Sequence, residues 1–213
     1  MRYTHIVWDF NGTLMDDVDV AVEAVNDMLR KRGMKLTDKA EYLTMITSPI
    51  IDYYCKIFDL TVVPFEVITE EFLQSYDARI PRAGLNPGAR EALDTFDKMG
   101  VTQCVVSSFE QQRLEALLTR MGVRQYFSAV SGADNRRAEG KVDRGVRWLR
   151  ESGADPKRVL VVGDLLHDLE LAQALGADCR LIARGHQGRR ELETGGVPVY
   201  DTITEMTEEL LHE

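Results

Sequence analysis

Two short apolar runs, Ile6-Val7-Trp8 and Val159-Leu160-Val161-Val162, each end at an acid with a glycine close by: Asp9 before Asn11-Gly12-Thr13, and Gly163-Asp164. Runs of this length without polar alternation read as strands buried on both faces. Such strands belong to parallel sheets, whose crossover helices cover both faces. The rest of the chain keeps that rhythm. From Asn86-Pro87, read as an N-cap and first helical residue, the pattern predicts a helix over 87–99, a strand over 101–106, a helix over 109–121 and a short strand over 129–131. A helix over 142–152, a strand over 159–162, a helix over 166–175, strands over 180–182 and 197–200, and a helix over 203–211 complete it. The predicted fold class is α/β, a doubly wound parallel sheet.

One stretch departs from the alternation. After Leu14, residues Val18, Ala21, Val22, Val25, Met28 and Leu29 recur at helical spacing up to Gly33. Helical candidates follow over 38–46, 49–58 and 66–79, then the breaker-rich Ile80-Pro81-Arg82-Ala83-Gly84, and no strand is needed until Val101. Residues 15–84 therefore read as a helical insertion hinged at both ends, leaving 1–14 and 85–213 as one α/β core.

In an open α/β sheet, ligands bind outside the carboxyl ends of the strands, which is where Asp9 falls. A carboxylate there can attack phosphorus to give an aspartyl-phosphate, and Gly12 lets the backbone turn tightly beside a bound oxyanion. The competing account is that an acid ends the strand because the chain turns there. Further residues favour the chemistry. Gln103-Cys104-Val105-Val106-Ser107-Ser108 is an apolar strand ending in hydroxyls that can bind phosphate oxygens, although Ser108 is also well placed to cap a helix starting near Phe109. Lys141 follows Ala138-Glu139-Gly140 and precedes the helical pattern Val142, Val146, Trp148, Leu149. A cation at a helix start opposes the macrodipole, which points to an anionic partner; Arg136, Arg137 and Arg144 are neighbouring cations that compete for that role. Asp164 and Asp168, four residues apart, can face one site.

Taken in order, Asp9-x-Asn11-Gly12-Thr13, Ser107, Lys141 and Gly163-Asp164-x-x-x-Asp168 resemble the motif set of the haloacid dehalogenase superfamily of phosphohydrolases. The resemblance spans almost the whole chain. It is closest to the branch with a helical cap inserted after the first motif, which includes phosphoglycolate phosphatase-like enzymes, and it implies a Rossmann-like core. It further implies Mg²⁺-dependent hydrolysis of a small-molecule phosphomonoester through an aspartyl-phosphate at Asp9. Ser107, with Ser108 beside it, would bind phosphoryl oxygens, and Lys141 would neutralise the phosphoryl group and the carboxylates. Asp9, Asp164 and the backbone carbonyl of Asn11 would hold the metal, with Asp168 either binding it through water or only orienting Lys141. The intact Gly-Asp-x-x-x-Asp motif argues against carbon–halogen cleavage, which needs no Mg²⁺ site.

Position 11 departs from the family. The phosphatases usually carry a second Asp two residues after the nucleophile, as general acid to the leaving group and then base for water; an amide does neither. General acid–base assistance contributes about 10²- to 10⁴-fold, so Asn11 implies a slow enzyme, a substrate with a good leaving group, or a proton donor from elsewhere. On this reading Asn11→Asp is expected to raise turnover. The alternative is a phosphate- and metal-binding protein with little or no turnover.

Charge limits the partners. A net charge of −9 with pI near 5.0 over 213 residues argues against nonspecific nucleic-acid binding and against adhesion to anionic membranes. No apolar run reaches the roughly 18 residues of a membrane span, and no signal-peptide pattern opens the chain, so a cytoplasmic protein is expected; a monomer or homodimer is the expected assembly. Cys55, Cys104 and Cys179 show no C-x-x-C spacing; Cys104 and Cys179 lie in strand-like runs and read as buried thiols. Among the histidines, His5, His186 in a Gly-rich loop and His212 form no metal cluster, and His167, between the two motif acids, reads as a helix-surface residue.

Overall fold

The structure, a computed structural model, describes residues 2–134 and 140–213. Arg136 and Arg137, weighed above against Lys141, lie outside the described residues. In chain order the elements are β1 (His5–Trp8), β2 (Met15–Asp16), α1 (Val18–Lys31), α2 (Lys39–Met45), α3 (Ile50–Cys55), α4 (Phe65–Arg79), β3 (Gly84–Leu85), α5 (Ala89–Lys98) and β4 (Thr102–Glu110). They continue as α6 (Gln111–Arg120), β5 (Phe127–Ala133), α7 (Lys141–Ser152), β6 (Val159–Gly163), α8 (Leu166–Leu175), β7 (Asp178–Ile182), α9 (Arg189–Glu193), β8 (Val199–Tyr200) and α10 (Ile203–His212).

Six of the described strands form a parallel sheet in the order β5-β4-β1-β6-β7-β8. The central runs Ile6-Val7-Trp8 of β1 and Val159-Leu160-Val161-Val162 of β6 are apolar throughout because both faces of the sheet are covered. Ile6, Trp8, Val105, Leu160 and Val162 join one buried cluster with Leu93, Phe96, Leu114 and Met206, while Val7, Cys104, Val106 and Val161 join a second with Trp148, Leu171 and Leu175. The order reverses direction around β1, which has β4 on one side and β6 on the other. Register then aligns the carboxyl ends: Trp8 pairs with Val105 and with Val162, and Asp9 N donates to Val162 O at 2.8 Å.

Between β1 and α5 the chain runs through α1–α4, with an aromatic interior of Tyr53, Tyr54, Phe58, Phe72 and Tyr76. The expectation of no strand before Val101 is corrected here. Met15 pairs with Leu85 and Asp16 with Gly84 as an antiparallel ribbon separate from the main sheet, a pairing too short to show periodicity. Asn86 is corrected as well. It is buried, and its Nδ2 donates to Gly12 O and Thr13 O at 2.8 Å each, while the helix starts at Ala89 after Gly88 with φ +81°. A side chain at residue 88 would meet Thr204, so the Asn-Pro-Gly stretch is a turn spent on the first motif rather than a cap.

Strand β4 runs past the expected end at residue 106 to Glu110, and its helix begins at Gln111 rather than 109. Glu110, not Ser108, caps that helix, accepting from Gln112 N and Arg113 N. Helix α9 escaped the sequence pattern because it is only five residues long. Cys104 and Cys179 are buried thiols and Cys55 is exposed. Among the described residues no helix is long and apolar enough to cross a membrane.

Candidate active site

Three adjacent strands deliver the site. Asp9 follows β1, Ser107 lies toward the carboxyl end of β4, and Asp164 follows β6. Asp168 sits in the first turn of α8, where its Oδ2 accepts from Asp164 N at 3.1 Å and Leu165 N at 3.0 Å. Gly163 permits this, since a Cβ there would collide with the Asp168 carboxylate. Lys141 opens α7, and its buried Nζ donates to Asp9 Oδ1 and, at 2.5 Å, to Asp168 Oδ1. Asp168 thus caps its helix and fixes the lysine at once.

Carboxylate oxygens of Asp9, Asp164 and Asp168 lie within 4.8 Å of one another, all buried. Asp164 is clamped by Thr13 Oγ1 at 2.8 Å and by His186 N at 2.6 Å. Gly12 has φ +74°, and a Cβ there would overlap Asp164 and lie 2.6 Å from His186 Cδ2, so the turn after β1 needs glycine for both conformation and approach. Burial raises the carboxyl of Asp9 to about 6, against the opposing charge of Lys141. Asp164 rises to about 8, through burial and then the neighbouring Asp9 charge. Burial disfavours the charge on Lys141, but Asp168 and Asp9 outweigh it and hold the ammonium well above its ordinary value. Negative charge is in excess here, and the donors are hard oxygens, a combination suited to a small divalent cation such as Mg²⁺.

Ser107 is buried; its Oγ accepts from Phe109 N at 3.1 Å, which leaves the hydroxyl proton to donate. Ser108 is exposed, so the serine pair is divided between interior and surface. Arg144 is buried, and its Nη2 donates to Ser107 O at 2.8 Å. His167 pairs with Glu170 on the outer face of α8 at 2.7 Å, as a helix-surface residue does.

Sequence reasoning passed over a second buried cluster beside the first. Asp17 is 1% exposed. It accepts from Gly12 N at 2.7 Å, from Asn11 Nδ2 at 3.0 Å, from Tyr76 OH, and from His186 Nε2 at 3.2 Å. Burial opposes its charge, but His186 and the hydrogen bonds from His186, Asn11 and Tyr76 hold its carboxyl below the usual range. For His186 burial again opposes charge, and Asp17, with Asp164 and Asp9 behind it, lifts the imidazole to about 9. At neutral pH both ring nitrogens carry protons; Nδ1 meets Tyr42 OH from α2 at 2.9 Å. The available signals were the paired Asp16-Asp17 and the glycines flanking His186. Gly185 leaves the room that Asp164 occupies.

Acids at the carboxyl ends of neighbouring parallel strands, with a buried lysine between them, define a class of α/β proteins built to hold charge at the sheet's switch point. The chain belongs to the haloacid dehalogenase-like hydrolases, whose family model matches residues 6–182. Among curated proteins it is similar to phosphoglycolate phosphatases: 26% identical over 217 residues to that of Mesorhizobium japonicum, covering 97% of this chain and 96% of the relative. That of Pseudomonas savastanoi is 24% identical over 211 residues, covering 94% of this chain and 77% of the relative. Solved structures share the fold. A haloacid dehalogenase-like hydrolase from Streptococcus pneumoniae superposes with a TM-score of 0.83 at 15% identity, covering 98% of this chain and 99% of that one. A predicted phosphatase from Clostridium acetobutylicum gives 0.82 at 17% identity, covering 99% of each chain.

Proposed function

We propose that the protein is a Mg²⁺-dependent phosphatase of small-molecule phosphomonoesters that works through an aspartyl-phosphate at Asp9. The observation carrying this reading is the buried lysine bridging Asp9 and Asp168, with Asp164 in the same cluster. A carboxylate Oδ of Asp9 attacks phosphorus, the bond to the leaving oxygen breaks, and that oxygen departs with the electron pair. Water then cleaves the acyl phosphate, returning Asp9 and releasing phosphate. Lys141 offsets the negative charge of phosphoryl group and nucleophile throughout, and Ser107 donates its free proton to a phosphoryl oxygen. Asp9, Asp164 and the Asn11 carbonyl would hold Mg²⁺, which when bound neutralises charge on the phosphoryl oxygens. Asp168 orients Lys141.

Residues 15–84 act as the cap in this reading. Supporting it, Tyr42 OH reaches His186, and Gly188 N donates to Leu43 O at 3.2 Å, so α2 and its end meet the loop after β7 beside the acids. Cytoplasmic location and a monomeric or homodimeric state complete the proposal.

The Asn11 side chain is an amide, so proton donation to the leaving group from this position is lost. Hydrolysis of an aryl or acyl phosphate is therefore expected to exceed that of an alkyl ester by about 10²-fold or more. A panel of such esters with Mg²⁺, run on the wild type and on Asp9→Asn, tests the assignment. Turnover that survives Asp9→Asn or persists in chelator refutes it. A wild type that binds Mg²⁺ and phosphate but hydrolyses none of the esters replaces it with the binding-protein reading.

A further inference from the structure

The side chain of Asn11 does not stand alone. Its Nδ2 donates to Asp17 Oδ2 at 3.0 Å and to Tyr76 OH at 2.9 Å, and the Tyr76 hydroxyl itself bonds the same Asp17 oxygen. An ionised carboxylate only accepts hydrogen bonds, so the amide nitrogen must face Asp17, and the orientation of the amide follows from that partner. Oδ1 of Asn11 takes no hydrogen bond among the described residues. The other oxygen of Asp17 accepts the backbone N–H of Gly12, in the turn that carries Asp9.

We propose that Asp17 is a positioning residue of the active site, and that Asn11 and Asp17 form one amide–carboxylate pair whose single negative charge sits at 17. The pair fixes Asn11 with its acceptor oxygen free and ties the turn after Asp9 through Gly12. The idea rests on the phosphatase reading for its catalytic consequence, though not for its existence. The reason for an amide at position 11 is then local: an acid there would set carboxylate against carboxylate 3.0 Å away, in a site where Asp17 is 1% exposed. Asn11→Asp alone, expected from sequence to raise turnover, is instead expected to lower it. Moving the charge, by Asn11→Asp with Asp17→Asn, keeps one carboxylate and one amide in the same hydrogen bond and puts the acid at the position beside the nucleophile's turn.

A four-protein cycle tests this: wild type, N11D, D17N and N11D/D17N, each read for Tm in chelator and in Mg²⁺ and for kcat and KM on an aryl and an alkyl phosphate. Each single variant is expected to lose about 10-fold or more in kcat/KM on the aryl ester. The double variant is expected to recover at least half of that loss on a logarithmic scale and to melt about 5 °C above N11D. Its kcat ratio of alkyl to aryl ester should rise about 10-fold over wild type, because Asp at position 11 can carry the leaving-group proton. A role confined to stability would restore Tm and leave that ratio unchanged. Additive effects, with the double variant no better than the sum of the singles, overturn the pairing. If N11D yields no folded protein, a folded double variant supports the proposal and an unfolded one overturns it. A wild type inactive on all esters defeats the phosphatase reading alone, since the Tm cycle still reports the pair.

Discussion

Lys141→Met removes the cation from the centre of the acid cluster while keeping a side chain of similar length. Lys141 is 4% exposed at its side chain and touches Asp9 and Asp168, exposed 9% and 1%. Breaking a buried ion pair by removing one partner costs about 3–5 kcal/mol. At roughly 2–4 °C per kcal/mol for a chain of this size, Tm in chelator should fall by about 6–20 °C. The loss should depend on pH. The carboxyl of Asp9 titrates at about 6 with Lys141 beside it, so the attraction is complete at pH 8 and reduced at pH 5. Differential scanning calorimetry at the two values reads both numbers. A drop under 2 °C at pH 8, or equal drops at both values, would refute the view that Lys141 is what makes this concentration of acids tolerable. Hydrolysis of an aryl phosphate by the same variant should fall at least about 10³-fold, because charge neutralisation is lost in the transition state.

Without metal, stability should fall as pH rises. Asp9 and Asp164 bind protons up to about 6 and 8 in the folded state against 3.8 as free side chains, and His186 up to about 9 against 6.5. The native state therefore holds more protons across roughly pH 4–9, and Tm in chelator should decline through that window; a Tm that climbs from pH 5.5 to 8 would contradict the charge balance. Mg²⁺ at one fixed concentration, about 100 times its Kd at pH 8, should stabilise by about 2.7 kcal/mol at pH 8 and by less at pH 5.5, where protons compete for the carboxylates and raise the Kd. Gly12→Ala forces φ +74° on a residue with a Cβ directed at Asp164 and His186. The backbone alone costs about 1–2 kcal/mol, so Tm should drop by at least about 2 °C with Mg²⁺ stabilisation reduced in step; wild-type values for both would disprove the close approach. Small-angle scattering with and without a phosphate mimic should show a smaller radius of gyration when bound if residues 15–84 close as a cap, and an increase would count against closure.

The strand ends were readable because each combined a run of apolar residues with an abrupt acid or hydroxyl, a contrast that survives in one dimension. Asp9, Ser107 and Asp164 stand out that way as candidates, and Lys141 by its place at a helix start, and the fold puts each toward the strand end or at the helix start that the sequence marks. The sheet was readable for the same reason, since burial on both faces leaves no polar alternation. Asp17 and His186 were not. They are 169 residues apart, and only the folded chain shows that a histidine in a glycine-rich loop meets an acid at the entrance to the helical segment. Asn86 misled because Asn-Pro has the same local look as a capped helix start, whereas its amide serves carbonyls more than 70 residues away. The ribbon of β2 and β3 was hidden by its length, two residues a side.

That ribbon bears on how such a chain could be rebuilt over generations. Met15 faces Leu85 and Asp16 faces Gly84, so the excursion through α1–α4 leaves and returns at neighbouring points. A two-residue hairpin turn would close the same gap, and loop-closure entropy changes slowly with the length of what is inserted. The junction can thus accept exchange of the whole excursion for another of different size without moving the strand that carries Asp9. Any such exchange that dropped Asp17 and Tyr76 would leave Asn11 without either partner, which couples the choice of residue at position 11 to the ancestry of the inserted segment.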